Sequence, residues 1–103
     1  MISNDTRSSL ATMSSVDVIE HCGDITYREL DYWIRTGAIE PEYGSEGSGR
    51  PRRFTMEQAE WLRRIVVVRS ALAEHGIVLT TEAIREMWNA LVNGDPWLLA
   101  MEL

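Results

Sequence analysis

The chain has 103 residues, 45% of them apolar, which suits one compact domain and leaves no room for a second. Ten basic residues, all of them arginine, face sixteen acidic ones, and this net charge of −6 argues against a uniformly basic nucleic-acid binder. No apolar run approaches the ~18 residues of a membrane span, and the polar N-terminus resembles no secretory signal, so we expect a cytoplasmic protein without membrane contact. The single cysteine, Cys22, excludes an internal disulfide and a Cys-x-x-Cys pair.

Positive charge is concentrated in the middle of the chain. Six arginines and two acidic residues lie between Arg50 and Arg69, a local net charge of +4, whereas the segments 1–25 and 70–103 are net negative. The middle segment is therefore a candidate phosphate-facing patch. From charge alone, a solvated helix surface explains it equally well.

The N-terminal segment predicts an arm followed by a short helix. Residues 1–13 are rich in polar side chains and have no hydrophobic period, which predicts a disordered arm. Ser14 and Asp17 then have the spacing of a helix start, and Gly23 follows about two turns later. We expect the folded domain to begin at Ser14.

The next helix has the clearest start signal in the sequence. Thr26 and Glu29 have the spacing of a capping box, and Gly37 suits the C-terminal cap. Between them, one buried face at helical spacing is predicted from Leu30, Trp33 and Ile34. The short turn between the two helices predicts a helix-turn-helix whose second helix, 26–36, would enter a DNA major groove. The same corner also occurs in many helical proteins that bind no nucleic acid.

Residues 38–54 predict a β-hairpin wing. Two short apolar-edged arms flank a loop of glycine and serine, and Pro41 and Pro51 restrict both arms to edge or terminal positions. An interdomain linker is the alternative. It is disfavoured because neither flank is large enough to fold as an independent domain.

Two further helices follow the wing. Thr55 and Gln58 form a second capping box before a helix of about 20 residues, although the β-branched run 65–68 would also suit a strand. Thr80 or Thr81 begins the last helix, which stops before Gly94. Residues 14–93 are thus predicted to be mainly α, a winged helix-turn-helix of about four helices with one short β-hairpin.

The segment 94–103 is predicted to be an apolar tail. Its large apolar side chains are Trp97, Leu98, Leu99, Met101 and Leu103. Such a tail either packs on the core or mediates contact with a protein partner or a second copy of the chain.

The order of residues in the second helix and the wing resembles that of MerR-family regulators. Leu30-Asp31-Tyr32-Trp33, followed by Gly37-Ala38-Ile39-x-Pro41, is similar to the second helix and turn of that family. Gly47-Ser48-Gly49, followed by Arg52-Arg53-Phe54, resembles the end of the family's wing. The resemblance covers about residues 14–92.

The resemblance implies a small sequence-specific regulator of transcription that binds double-stranded DNA in the nucleoid. Arg28 is then the first candidate for a base contact, since a guanidinium matches guanine O6 and N7. Contacts to phosphate or bases are expected from Tyr27, Tyr32 and Arg35 on the helix, and contacts to phosphate from Arg52, with Arg50 and Arg53 extending the wing patch. Leu30, Trp33 and Phe54 are expected in the core.

The sequence also departs from the family's pattern. Asp31 stands where many relatives have arginine, and Arg50-Pro51 replaces a Gly-Tyr pair. The sequence ends at Leu103, before the place of the family's long dimerisation helix, so we expect a module without that coiled coil.

Two other functions stay open from the sequence. An excisionase-like factor that bends DNA for site-specific recombination would suit the short length, and a protein-binding module could contact a polymerase or sigma subunit. An enzyme is not expected, because no carboxylate pair, nucleophile with a base, metal cluster or phosphate loop is present. No cofactor and no metal ion are predicted.

Overall fold

The computed structural model describes residues 12–44 and 49–94. In these ranges the elements, in chain order, are β1 (Thr12–Ser14), α1 (Ser15–Cys22), α2 (Tyr27–Arg35), β2 (Arg53–Thr55), α3 (Met56–Ala73) and α4 (Thr81–Val92). The predicted fold class, a mainly α winged helix-turn-helix with about four helices, is confirmed, and two short antiparallel strands complete it. Within the described ranges, no helix has the length and apolar character needed to cross a bilayer.

Side-chain caps start three of the helices at the predicted residues. Ser14 Oγ accepts a hydrogen bond from the backbone N–H of Asp17 at 3.1 Å, and the Asp17 carboxylate accepts one from the Ser14 N–H at 3.4 Å. Thr55 and Gln58 form the same reciprocal capping box at α3. Thr80, one of two predicted candidates, caps α4. Each cap accepts hydrogen bonds from N–H groups of the first turn that have no partner within the helix, which typically stabilises the fold by about 1 kcal/mol.

The second helix keeps half of its predicted capping box. Thr26 Oγ1 accepts from the N–H of Glu29 at 3.1 Å, but the Glu29 carboxylate accepts instead from Arg69 Nη2 on α3, at 2.8 Å. Arg69 also donates to the backbone carbonyl of Asp24, in the turn between α1 and α2. Burial raises the pKa of the Glu29 carboxyl, and the charge of Arg69 opposes that shift. These contacts fix the helix-turn-helix corner against α3.

The sheet pairs the wing with the N-terminal segment. β1 and β2 are antiparallel, with Met13 opposite Phe54. The pairing predicted inside 38–54 is reduced to one bridge, between Tyr43 and Arg53. Pro51 lacks the N–H that a longer ladder on the Tyr43 side of β2 would need, and the other edge of β2 pairs with β1.

This pairing moves the N-terminal boundary of the domain. Thr12 and Met13, assigned to the arm from the sequence, lie in β1, because the exposed backbone edge of β2 gives them hydrogen-bond partners. The rest of the predicted arm, the loop tip 45–48 and the tail 95–103 lie outside the described residues.

One apolar core joins all four helices and β2. Its members are fully or nearly fully buried: Val18, Ile25, Leu30, Trp33, Ile34, Ala38, Ile39, Phe54, Ala59, Leu62, Ile65, Val66, Ile84, Trp88 and Leu91. The core assignments of Leu30, Trp33 and Phe54 are confirmed, and Phe54 is 0% exposed. Burial of a side chain of this size is worth about 1.5–3 kcal/mol. Phe54 therefore anchors the end of the wing in the helical core.

Residues 65–68 are helical, as the caps of α3 indicated. The innermost face of this helix consists of Ala59, Leu62, Ile65 and Val66. Trp61 lies partly buried at the edge of that face, where its ring meets Trp88 of α4 edge-on, with centroids 5.6 Å apart and planes at 85°. Such an aromatic pair adds about 0.5–1.5 kcal/mol to its area burial.

A charge cluster ties α1 to α3. Glu60 on α3 accepts from Arg63 Nε at 3.0 Å and lies 3.3 Å from His21 Nε2 on α1. Hydrogen bonds, first from Arg63 and then from His21, lower the pKa of Glu60 to about 2.

The Glu60 cluster predicts a contribution to acid stability. Because the folded-state pKa lies below the ordinary value of 4.5, the cluster stabilises the fold above about pH 4.5 and loses this effect as the pH falls towards 2. Wild type should lose unfolding free energy as the pH falls from about 4.5 to 2, and Glu60→Gln should reduce this loss by about 0.5–1 kcal/mol, a value lowered by solvent screening. Urea titrations followed by tryptophan fluorescence measure the unfolding free energy at each pH. Glu86→Gln, at an exposed site on α4, should keep the wild-type slope, and an equally flat slope in both variants would contradict the assignment.

Candidate nucleic-acid interface

The exposed face of α2 carries arginine and tyrosine. At helical spacing, its solvent-facing side chains are Tyr27, Arg28, Tyr32 and Arg35, and the opposite face is the buried Leu30, Trp33 and Ile34. Arg28 makes no hydrogen bond or ion pair with any residue of the ranges 12–44 and 49–94. Its guanidinium thus keeps all five N–H donors available for a ligand.

Asp31 joins this helix face to the wing. Its Oδ2 accepts from Arg35 Nε at 2.8 Å, and its Oδ1 accepts from Arg52 Nη1 of the wing at 2.7 Å. Hydrogen bonds from Arg35 and Arg52, in that order of effect, hold the pKa of the Asp31 carboxyl below its usual range. Since Asp31 lies one helical turn from Arg28, the wing residue Arg52 reaches the same side of the molecule as Arg28.

The base of the wing has its own cluster of aromatic and basic side chains. Tyr43, Arg50, Pro51 and Arg53 line a shallow open groove there. Gly44 has φ +80°, and a Cβ at this position would meet the backbone of Pro51 at 2.5 Å, so only glycine fits the close approach of the two wing arms.

The structure distributes the predicted site residues over three places. Arg28, Tyr32 and Arg35 lie on one helix face, with Tyr27 at its edge, and Arg52 contacts that face through Asp31. Arg50 is exposed at the wing base. Arg53 is directed towards β1, where its Nη2 donates to the carbonyl of Thr12 at 3.3 Å and to its Oγ1 at 3.2 Å.

The local net charge of +4 between Arg50 and Arg69 does not form one patch in space. Arg63 and Arg64 pair with Glu60, as expected for surface helix charge, and Arg69 pairs with Glu29. Two of these arginines are thus paired within α3 itself, and folding brings Glu29, from outside the segment, against Arg69.

Two residues of this region escaped the sequence analysis. Tyr43 is an exposed aromatic side chain beside the wing arginines, and its position in a Gly-rich hairpin could have suggested it. Arg85 of α4 donates to the carbonyls of Thr36, at 3.1 Å, and Gly37, at 3.4 Å, which end α2. No local pattern marks Arg85, because its partners lie 48 and 49 residues away.

A helix pair joined by a short turn, with a basic and aromatic face on its second helix and an arginine-bearing wing beside it, defines a winged helix-turn-helix domain. The family model described as MerR HTH family regulatory protein matches residues 13–90. The chain belongs to this family of DNA-binding regulators of transcription, which are typically not enzymes. The comparison with curated proteins gave no match.

In the described part of the chain, no three His, Cys, Asp or Glu side chains group as ligands for a metal ion. Cys22 is half-buried on α1, and burial raises the pKa of its thiol to about 11. The thiol is therefore protonated at neutral pH and a poor nucleophile.

Arg85 is predicted to stabilise the end of α2. A cation at a helix C-terminus pairs the open carbonyls and favours the helix dipole, so Arg85→Met should lower the unfolding free energy by about 1 kcal/mol, as its partial exposure limits the effect. Chemical denaturation followed by tryptophan fluorescence measures the loss. Arg28→Met is the matched control and should change stability by less than about 0.5 kcal/mol. Equal stability of both variants would show that Arg85 does not support α2.

Proposed function

We propose that the chain is a sequence-specific regulator that places α2 in the major groove of double-stranded DNA and contacts the phosphate backbone with the wing, 38–54. The observation that carries the proposal is the junction at Asp31. Through it, Arg52 of the wing lies beside the helix face that presents Arg28 and Arg35. A groove-reading helix and a backbone-contacting arm on one side of a domain are what this mode of binding requires.

The dimensions and chemistry of α2 support a position in the groove. A helix with its side chains is about 10–12 Å across, which fits a B-DNA major groove about 12 Å wide. The nine residues of α2 span about 13 Å along the helix axis. Arg28 lies in the first turn, where recognition helices contact base edges, and its donors match O6 and N7 of guanine. Tyr27 and Tyr32 supply hydroxyl groups for phosphate oxygens on either side of that contact.

The wing supports contact with the backbone. Arg50 and Tyr43 are exposed at its base, and Arg52 is held beside the arginine-bearing face of α2 by Asp31. Because the chain as a whole is acidic, binding depends on this local set of arginines rather than on long-range attraction. We therefore expect modest affinity for one site and a clear dependence on salt.

Arg28 is predicted to determine base preference. Arg28→Ala should weaken binding to a duplex selected by the wild-type protein by about 10- to 100-fold, since a bidentate base contact is worth about 1–3 kcal/mol of discrimination. Binding to random duplex should fall much less. Fluorescence anisotropy with both duplexes measures the two affinities, and an equal loss on both would show that Arg28 contacts phosphate instead.

Arg52 is predicted to hold phosphate irrespective of sequence. Arg52→Ala should weaken selected and random duplexes alike and make the slope of log K against log salt shallower by about 1. Arg63→Ala removes the same charge from α3 and should leave the slope unchanged, because Arg63 pairs with Glu60 away from this face. A wild-type protein that shows no salt-dependent binding to any duplex would overturn the proposed function.

Footprinting distinguishes this function from an excisionase-like one. A single protected operator beside a promoter supports the regulator. Several adjacent protected repeats together with bent DNA would assign the chain an architectural role on the same interface.

A further inference from the structure

Arg53 is the residue at which the two arms of the wing meet the N-terminal strand. Its backbone N–H donates to the carbonyl of Tyr43 at 3.0 Å. Its own carbonyl accepts from the N–H groups of Glu42, at 2.9 Å, and Tyr43, at 3.2 Å. On the other edge of β2, Arg53 is paired with Ser14 of β1. The backbone of Arg53 thus couples the first arm of the wing to β1.

The side chain of Arg53 makes a second connection between the wing and β1. Its Nη2 donates to the carbonyl oxygen of Thr12 at 3.3 Å and to Oγ1 of Thr12 at 3.2 Å, and its Nε donates to the same Oγ1 at 3.4 Å. Because side chains alternate along a strand, the Arg53 side chain lies on the face of β2 opposite to that of the buried Phe54. The guanidinium therefore holds β1 from outside the core.

This attachment acts on the part of the wing that would contact DNA. Arg52 directly precedes Arg53, and its side chain lies beside α2 through its pair with Asp31. A wing that is loosely attached samples several positions, and DNA binding must then select one of them at an entropic cost. When the wing is fixed beforehand, that cost is smaller and the affinity is higher.

We propose that Arg53 is a positioning residue of the DNA interface, which fixes the wing for phosphate contact through its hydrogen bonds to Thr12. The inference rests on the proposed function and adds the means by which the N-terminal strand supports it. The role differs from the direct phosphate contact expected of Arg53 from the sequence. It is favoured by the direction of the guanidinium, whose Nε and Nη2 both donate to one residue of β1.

Thr12→Val tests this role without a change of charge. Valine is β-branched like threonine and suits a strand, but it lacks the Oγ1 acceptor. Binding to a duplex selected by the wild-type protein and to random duplex should weaken alike, by about three- to tenfold. If Arg53 instead held phosphate, the loss of the Thr12 hydroxyl would make its guanidinium more available, so an equal or higher affinity would overturn the role. Fluorescence anisotropy measures both affinities, at a temperature where circular dichroism shows each variant to be folded.

Substitutions of Arg53 separate its geometry from its charge. Arg53→Lys keeps the charge but replaces the planar fork by a single ammonium group, and Arg53→Gln removes both. Each should weaken binding to the two duplexes by about three- to tenfold. Wild-type affinity in Arg53→Lys together with a loss in Arg53→Gln would show that only the charge matters. The losses of Thr12→Val and Arg53→Gln should be less than additive in the double variant, because both changes remove the same hydrogen bonds.

Two further threonine variants are the matched controls. Thr12→Ser keeps the hydroxyl and should bind both duplexes like the wild type. Thr80→Ala removes a threonine hydroxyl that caps α4, so it lowers stability but should leave the affinity of the folded protein unchanged. An equal loss of affinity in Thr80→Ala would attribute the effect to stability and not to the position of the wing. Thr12→Ala has the same expected result as the valine variant and replaces it if that variant fails to fold.

Failure of this inference is distinguishable from failure of the proposed function. If the wild-type protein binds its selected duplex and both Thr12→Val and Arg53→Lys bind as tightly, the role of Arg53 is wrong and DNA binding stands. Absence of salt-dependent binding by the wild type to any duplex would remove the proposed function itself.

Discussion

The structure depends on how a very short helix is held in place. An isolated helix of nine residues is marginal in water, because nucleation costs more than so few hydrogen bonds return. In this chain α2 persists because Leu30, Trp33 and Ile34 are buried in the shared core. Its two ends are then tied from outside, by Arg69 at Glu29 and by Arg85 at the carbonyls of Thr36 and Gly37. The helix that would read DNA is thus positioned by residues from α3 and α4.

Some arginines of this chain hold its elements together, and others lie on the face proposed to contact DNA. Arg69 and Arg85 fix the ends of α2, and Arg53 ties the wing to β1 through Thr12. Arg28 and Arg50 are exposed, and both belong to the face proposed to contact DNA. Folding thus pairs some arginines with acidic groups inside the domain, whereas the side chains of Arg28 and Arg50 stay exposed. On the face proposed to contact DNA, Asp31 likewise pairs with Arg35 and Arg52.

Much of the fold follows from local sequence patterns. The caps at Ser14, Thr55 and Thr80 and the buried face of α2 could be predicted, because a helix start and an apolar period are decided by residues within a few positions of one another. The exposed face with Arg28 follows from the same period. The order of helix, glycine and wing was also sufficient to indicate the family, which the match over residues 13–90 establishes.

Contacts between distant residues were decided only by the tertiary structure. The strand partner of the wing is Thr12–Ser14, the carboxylate of Glu29 accepts from Arg69, and Asp31 of α2 pairs with Arg52 of the wing. None of these follows from spacing along the chain, because an ion pair or a strand edge depends on distance in space. The sequence by itself determined where the helices begin and which residues they bury. Packing of the whole domain decided which charges from distant parts of the chain are paired.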